Sequence, residues 1–389
     1  MIKAAPEQIS TTDRRRSARV KARLLSQGIR DDSDLFASLG AFKEDNNAYD
    51  NGNWGVGRGQ RVPSDIELPG GIVAKLHIRP SSPLQLVRQG EHLVLLEGQK
   101  ELTDCRLLPR PTFWALETTR GIAAHKLIQF YGATCLNLNI FSGCKFFDVD
   151  QACGFCSVQP TQMLHRSVIV RKSPADLRDA CLLAVKNDQV DWYLQTGGSY
   201  FDGDEEFAMH IAVLREVQPI LPWNGRVRGN VALMPPRDLG RLQELHDLGV
   251  DHPSFNLEVW PREAFEHFCP GKARFVGFDH ILLAMDRLVA IYGPGWGWCN
   301  FVAGLVPLED QKAGFTAVAE RGMIPGANVF HPDVGAALGE SRSSPSDDYI
   351  INLYRHAADL YHRHDYKPFF DARVLRNSLA NEAYEGLLD

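Results

Sequence analysis

Residues 134–158 read TCLNLNIFSGCKFFDVDQACGFCSV, and this stretch decides the fold. Leu136–Phe141 is a short apolar run with the spacing of a strand. It gives way to a turn-rich loop carrying Cys144-x8-Cys153-x2-Cys156. From this point the chain keeps one rhythm. Further strand candidates are Asp191–Gln195, Gly229–Leu233, Ser254–Val259, Asn300–Leu305 and Ala327–Phe330. Amphipathic helical stretches alternate with them at Pro174–Asn187, Glu205–Val217, Arg237–Leu248, Phe278–Tyr292 and Leu308–Arg321. Strand–helix alternation at this spacing predicts parallel βαβ units with right-handed crossovers. The expected architecture is α/β: a partial (β/α)6 TIM-like barrel over residues 131–335, whose chemistry collects at the C-terminal strand ends.

The flanks read differently. Residues 1–130 form an expected N-terminal module with a polar, helical start. Asp13–Gln27 is an amphipathic helix with a basic face, stopped by Gly28, and Asn46–Gly59 is a Gly- and Asn-rich loop. Short β-branched runs follow at Ile72–Ile78, Leu84–Val87, His92–Leu96 and Cys105–Leu108, the pattern of a small β-rich unit. Residues 336–389 read as a C-terminal helical tail, with its helix over Asp347–Arg363.

Composition limits the alternatives. Of 389 residues, 44% are hydrophobic and 23% charged, which excludes disorder of the whole chain. No apolar run approaches the roughly 18–20 residues that span a bilayer, so no membrane partner is expected. The net charge of −6 and the lack of a basic stripe argue against nucleic acid and for a small-molecule substrate. Eight cysteines are too few for a disulfide scaffold of this length. With no apolar leader visible, a reducing, cytoplasmic compartment is expected, where clustered cysteines signal metal or redox chemistry. Three thiolates on one loop suit a [4Fe–4S] cluster whose fourth iron stays open. Phe155 stands ready to shield it. A zinc site of Cys144, Cys153, Cys156 and His165 also has acceptable ligand types. Cys105, Cys135 and Cys181 read as small core residues.

The cysteine loop resembles that of the radical S-adenosylmethionine superfamily, which places C-x3-C-x2-C after the first barrel strand with an aromatic residue before the third cysteine. Cys153-Gly-Phe-Cys156 keeps the second half, and the first gap is lengthened to eight residues. Later strand ends carry the resemblance further, with a layout close to the biotin synthase and lipoyl synthase-like group. Gln195-Thr-Gly-Gly-Ser199 is similar to the Gly-Gly-Glu turn that meets the S-adenosylmethionine amino group, with Ser199 at the acidic position. Asn256-Leu-Glu258, Phe265–Leu282, Val302–Glu309 and Asn328-Val-Phe-His-Pro332 resemble successive segments of those synthases.

The resemblance implies that Cys144, Cys153 and Cys156 ligate a [4Fe–4S] cluster. S-Adenosyl-L-methionine would be contacted by Gly197, Gly198, Ser199, Glu258, Gly304, Leu305 and Val306. Reductive cleavage would give a 5′-deoxyadenosyl radical that abstracts hydrogen from a small molecule, with an external one-electron reductant such as flavodoxin or ferredoxin as partner. Substrate candidates at the strand ends are Tyr200, Arg228, Asn230, Trp260, Asn300 and Asn328. Cys269, Cys299 and His331 are candidate catalytic groups, and too few cysteines remain for a second cluster. Glu258 also reads as a core carboxylate paired with an arginine. Two other readings stay open: methyl or aminocarboxypropyl transfer from S-adenosylmethionine, and a non-catalytic zinc or iron–sulfur protein. The N-terminal module or the tail would serve as a lid.

Overall fold

The computed structural model describes residues 10–30, 35, 65–90, 92–164, 169–333, 335–339 and 341–389. The Asn46–Gly59 loop and His165 lie outside them. The described part is an α/β structure built on two sheets. A five-stranded antiparallel sheet comprises β1 (Asp65–Leu68), β2 (Ile72–Lys75), β3 (Leu84–Gln89), β4 (His92–Glu97) and β5 (Lys100–Leu107), in the order β2-β1-β5-β4-β3. The larger sheet runs in chain order through β6 (Gln129–Tyr131), β7 (Cys135–Asn139), β8 (Trp192–Thr196), β9 (Val227–Ala232), β10 (Val250–Ser254), β11 (Gly297–Ala303) and β12 (Met323–Val329). Strands β7 to β12 are parallel and form the partial barrel; β6 adds antiparallel to β7.

Helices cover the outside of the barrel. Pro174–Asn187 starts on the Ser173 hydroxyl, which accepts from the Asp176 N–H, with Pro174 in the first turn. Phe278–Tyr292 ends at Gly293, whose φ of 84° closes the C-cap without a side-chain clash. Both match the sequence expectation residue for residue. The stretch Arg237–Leu248 instead divides into a 3-10 turn at Leu239–Leu242 and a short helix at Gln243–Asp247. No helix of the described residues is long and apolar enough to cross a membrane.

The inward face of the barrel is unusual. In a closed TIM barrel layered Val, Ile and Leu fill the centre. Here alternate positions present Asn137 and Asn139 from β7, Asn230 from β9, Asn300 from β11 and Asn328 from β12, around a lumen of about 260 Å³. The open seam is filled by residues 369–378, which contribute Phe369, Phe370, Leu375, Arg376, Asn377 and Ser378 to the lumen wall. Backbone bonds hold this segment on three sides. Val73 and Lys75 of β2 donate to Ala372 and Arg376, Ala133 donates to Arg373, and Val329 of β12 donates to Asn377.

The N-terminal helix α1 (Thr11–Gln27) is part of this arrangement rather than a basic surface helix. Ser17, Ala18, Val20, Lys21, Ala22, Leu24 and Leu25 are buried. Lys21 Nζ donates to Glu382 Oε1 at 2.7 Å and to the Leu375 carbonyl at 2.6 Å, and neither ionic side chain touches solvent. Burial drives both members toward neutrality, lowering the Lys21 pKa and raising that of Glu382, and each partner's charge opposes the shift. Lys21→Met leaves a buried, unpaired carboxylate and should cost about 3–5 kcal/mol in urea unfolding. The double variant Lys21→Met/Glu382→Leu should recover most of that loss. A Lys21→Met variant as stable as the parent would show that the pair carries no such load.

Candidate active site

The cysteine loop leaves β7 and folds over its C-terminal end. A 3-10 turn at Lys145–Val149 ends at Asp150 in the left-handed region (φ 55°), and a tight turn closes with Cys156 N–H on the Cys153 carbonyl at 2.9 Å. Neighbours clamp the loop. Gly154 N–H donates to the Phe268 carbonyl at 2.9 Å, Gly271 N–H to Gln151 at 2.9 Å, and Leu338 N–H to Gly154 at 2.8 Å.

Cys144, Cys153 and Cys156 line one cavity of about 240 Å³, together with Phe155. Gly197, Gly198 and Ser199 from the end of β8, and Glu258 after β10, line the same cavity. The turn after β8 is pressed onto the loop. Gly198 N–H donates to Phe141 at 2.9 Å, and Lys145 N–H donates to Ser199 at 2.8 Å. A Cβ on Gly198 would stand 1.5 Å from the Gly143 carbonyl oxygen, so only glycine permits this approach.

Sequence reasoning did not single out Glu206, Met234 or Lys272, which also line the cavity. Lys272 lies within the quoted Phe265–Leu282 stretch, and its spacing from Glu258 gave no signal. Lys272 Nζ contacts Glu258 Oε1 at 2.6 Å, so the partner of Glu258 is a lysine rather than an arginine. Glu258 has φ 66°, a strained conformation for a non-glycine residue, held by its N–H on Asn300 at 3.1 Å and its carbonyl on Val302 at 2.7 Å.

The cavity electrostatics favour a thiolate at one position. Burial pushes the Cys144 thiol up to about 11, and it raises Cys156 further. Cys153 shifts the other way: a hydrogen bond with Cys269 holds it below the ordinary thiol range despite burial, and the Lys272 charge assists. Burial alone would lower the Lys272 pKa. The charges of Glu258, Cys153 and Cys269 outweigh it and raise the value. Glu206 is pushed up to about 7 by desolvation, against the pull of the Met234 and Tyr200 N–H groups on its carboxylate.

Three thiols around one cavity with a nearby ammonium fit a cluster that spreads its thiolates over separate irons. Among the described residues, no group of three or more His, Cys, Asp or Glu side chains is arranged to hold a single metal ion. The lumen and the cysteine cavity share Asn139, Thr196, Ala232 and Asn256, so the two are contiguous.

Other expected site residues fall elsewhere. Asn230, Asn300 and Asn328 line the lumen. Arg228 is exposed near the N-terminal end of β9, stacked 4.1 Å over Trp192, at the opposite end from the chemistry. The expected strand, Gly229–Leu233, also leaves Arg228 at its N-terminal side, so the residue was assigned to the wrong strand end. Trp260 packs on Phe278 at 5.4 Å and lines neither cavity. Tyr200 is buried beside Phe141 at 4.8 Å, also outside both linings. The backbone at Gly304, Leu305 and Val306 meets the tail: Pro345 abuts Gly304, Arg342 donates to Leu305, and Tyr349 donates to Val306.

Cys299 is fully buried on β11 between the inward-facing Trp298 and Asn300, and it lines neither cavity. His331 pairs with Asp333 at 2.7 Å and lies 3.9 Å from the His77 ring, outside both linings. Cys269 is buried against Cys153. Cys135 and Cys181 are core residues as expected, whereas Cys105 is only half-buried.

Comparison with known proteins places this geometry beside others. No family model matches the chain. A curated relative, bacteriochlorophyllide c C-7(1)-hydroxylase of Chlorobaculum limnaeum, is 30% identical over 146 residues. The match covers 37% of this chain and 36% of that enzyme, so the chain spans about a third of the relative's length. Among solved structures, methylornithine synthase (PylB) aligns over 63% of this chain and 71% of its own, with 17% identity and a TM-score of 0.42. A radical SAM methyltransferase from Sphaerobacter thermophilus aligns over 77% and 82%, with 13% identity and a TM-score of 0.44.

Behind the turn after β8, His210 is fully buried and accepts from Gln195 Nε2 at 2.9 Å. Desolvation lowers its pKa to about 3. Below pH 6.5 the unfolded chain takes up a proton here that the folded chain refuses, so acid favours unfolding. Going from pH 7 to pH 5 should cost about 2 kcal/mol through this group. In urea unfolding at both pH values, His210→Gln should flatten the pH dependence by that amount. An unchanged dependence would show that His210 titrates normally.

Proposed function

We propose that this chain is a radical S-adenosylmethionine enzyme acting on a small molecule. The observation that carries this reading is the convergence on one cavity of Cys144, Cys153 and Cys156, the Gly197-Gly198-Ser199 turn, and Glu258. Cys144, Cys153 and Cys156 would hold a [4Fe–4S] cluster, with Cys153 the thiol most disposed to ionise. Lys272 would offset the negative charge of the thiolates and is kept in place by Glu258. The Gly197-Gly198-Ser199 backbone and Glu258 would position the amino acid and ribose parts of S-adenosylmethionine. When bound, the cluster and S-adenosylmethionine supply a hydrogen-abstracting 5′-deoxyadenosyl radical.

The rest of the chain positions and shields. Phe155 and Met234 give the cavity apolar wall, which limits water beside the reacting atoms. The contiguous lumen would hold the substrate beneath, with its amides fixing orientation through neutral hydrogen bonds. The curated relative is named as a hydroxylase, and replacement of a C–H hydrogen agrees with a hydrogen-abstracting centre.

Anaerobic reconstitution with iron and sulfide tests the assignment. Alanine at Cys144, Cys153 or Cys156 should abolish the iron–sulfur absorbance and the formation of 5′-deoxyadenosine from S-adenosylmethionine plus reductant. Cys181→Ala should retain both. Full absorbance in Cys153→Ala would contradict the ligand assignment, and S-adenosylhomocysteine or methylthioadenosine as the nucleoside product would favour group transfer.

A further inference from the structure

The lumen wall carries a positive charge that no contact within the described protein neutralises. Lys75 ends β2, is 5% exposed and lines the lumen. Among the described residues its ammonium makes no hydrogen bond or ion pair; only its backbone N–H is engaged, on the Arg376 carbonyl at 2.9 Å. Two carboxylates act on it through space, and both are committed elsewhere. Asp333 takes Ser157 at 3.0 Å and His331 at 2.7 Å, and Asp65 takes Arg376 at 2.8 Å. Arg376 adds a second cation beside Lys75, and its Nε is buried without a partner.

Arg376 has Asp65 as its direct partner, whereas Lys75 has no carboxylate in contact and feels Asp333 only through space. An isolated buried ammonium is costly, and an ordinary protein interior would pair it or replace it. Desolvation lowers Lys75 to about 8, with Arg376 contributing, so it is still mostly protonated at pH 7. The remaining wall is amides, hydroxyls and the rings of Tyr131, Trp298 and Phe369, none of which supplies an anion.

We propose that the lumen binds a small organic acid whose carboxylate pairs with the Lys75 ammonium, its carbon body lying among the asparagine amides and aromatic rings. One ammonium without a contact partner matches a monocarboxylate rather than a phosphate dianion. Arg376 is engaged by Asp65 through Nη1 and stacked on Tyr131 at 4.5 Å, so its charge already has a direct partner. The lumen volume sits just below the about 300–1,000 Å³ of pockets for drug-sized ligands, which sets a compact substrate. Through Asn139, Thr196, Ala232 and Asn256, the end of the ligand away from Lys75 would face the cysteine cavity. This inference rests on the proposed function only in taking the lumen to be the substrate compartment.

Ligand-observed NMR titration of the full chain at pH 7, with butyrate and its neutral counterpart butyramide, tests it. Butyrate should bind about tenfold more tightly than butyramide, the contribution of one charge-assisted contact. Lys75→Met should abolish the preference and Lys75→Arg should restore part of it. Equal affinity for the two probes, absence of butyrate binding, or a preference that survives in Lys75→Met would overturn the proposal. Tighter binding of inorganic phosphate than of butyrate would overturn the choice of a carboxylate. The comparison of probes on the parent chain decides the matter even if a variant fails to fold. Because the readout is binding, it is separable from the radical reading: an anion response without 5′-deoxyadenosine formation sinks only the latter, and the converse sinks only the lumen assignment.

Discussion

An incomplete barrel leaves a seam, and the closure of that seam is the constraint on which this structure depends. Six parallel strands end in edges whose unpaired backbone groups must be satisfied. Here β6 covers β7, and the segment around Ala372–Asn377 bonds to β12, to the turn between β6 and β7, and to β2 of the N-terminal sheet. The same segment is tied through Leu375 to the buried Lys21–Glu382 pair. The flanks of the chain are therefore parts of the barrel wall. They bring Lys75 and Arg376 to a lumen that the barrel strands alone would line mainly with neutral groups.

At the other end of the strands, glycine does the corresponding work. Gly198 lets the turn after β8 lie against the Gly143–Cys144 backbone, which fixes the root of the cysteine loop. Helical segments at Arg262–Phe268 and Pro270–Phe275 hold the tip of the loop through Phe268 and Gly271, and they carry Cys269 and Lys272 to it. One short stretch thus clamps the loop, sets the Cys269 thiol beside Cys153 and supplies the cation beside Glu258. The strained Glu258 is where the sheet gives up regular geometry to direct a carboxylate at this cavity.

Much of this was legible in the sequence where the determinants are local. Ser173-Pro174 and Gly293 set helix ends that matched, and the strand–helix alternation led to the right barrel. The strands slid where local signals conflicted. The run Ser254–Val259 alternates as a strand should, yet β10 ends at Ser254, and beyond it the left-handed Glu258 makes only an isolated bridge to Phe301. Pro253 argues against an interior strand. Pro253 stands opposite Val231 of β9, while β10 meets β11 at a single register pair, Ser254 with Trp298. Arg228 stands at the N-terminal end of β9, beside the expected strand start at Gly229, and so faces away from the expected site. The three loop cysteines were readable because spacing groups them, and the glycine turn joined them only through the family resemblance. Lys75 and Arg376 were not, since they reach the lumen from segments more than fifty residues outside β7 and about forty beyond β12, and only the tertiary fold joins them.

The central claim is that three loop cysteines leave one iron open beside the Gly197-Gly198-Ser199 turn and Glu258. Electron paramagnetic resonance of the reduced, reconstituted protein, with and without S-adenosylmethionine, tests it most directly. The account predicts a clear change in the g-values of the reduced cluster when S-adenosylmethionine is added. A cluster signal that S-adenosylmethionine leaves unaltered would contradict it.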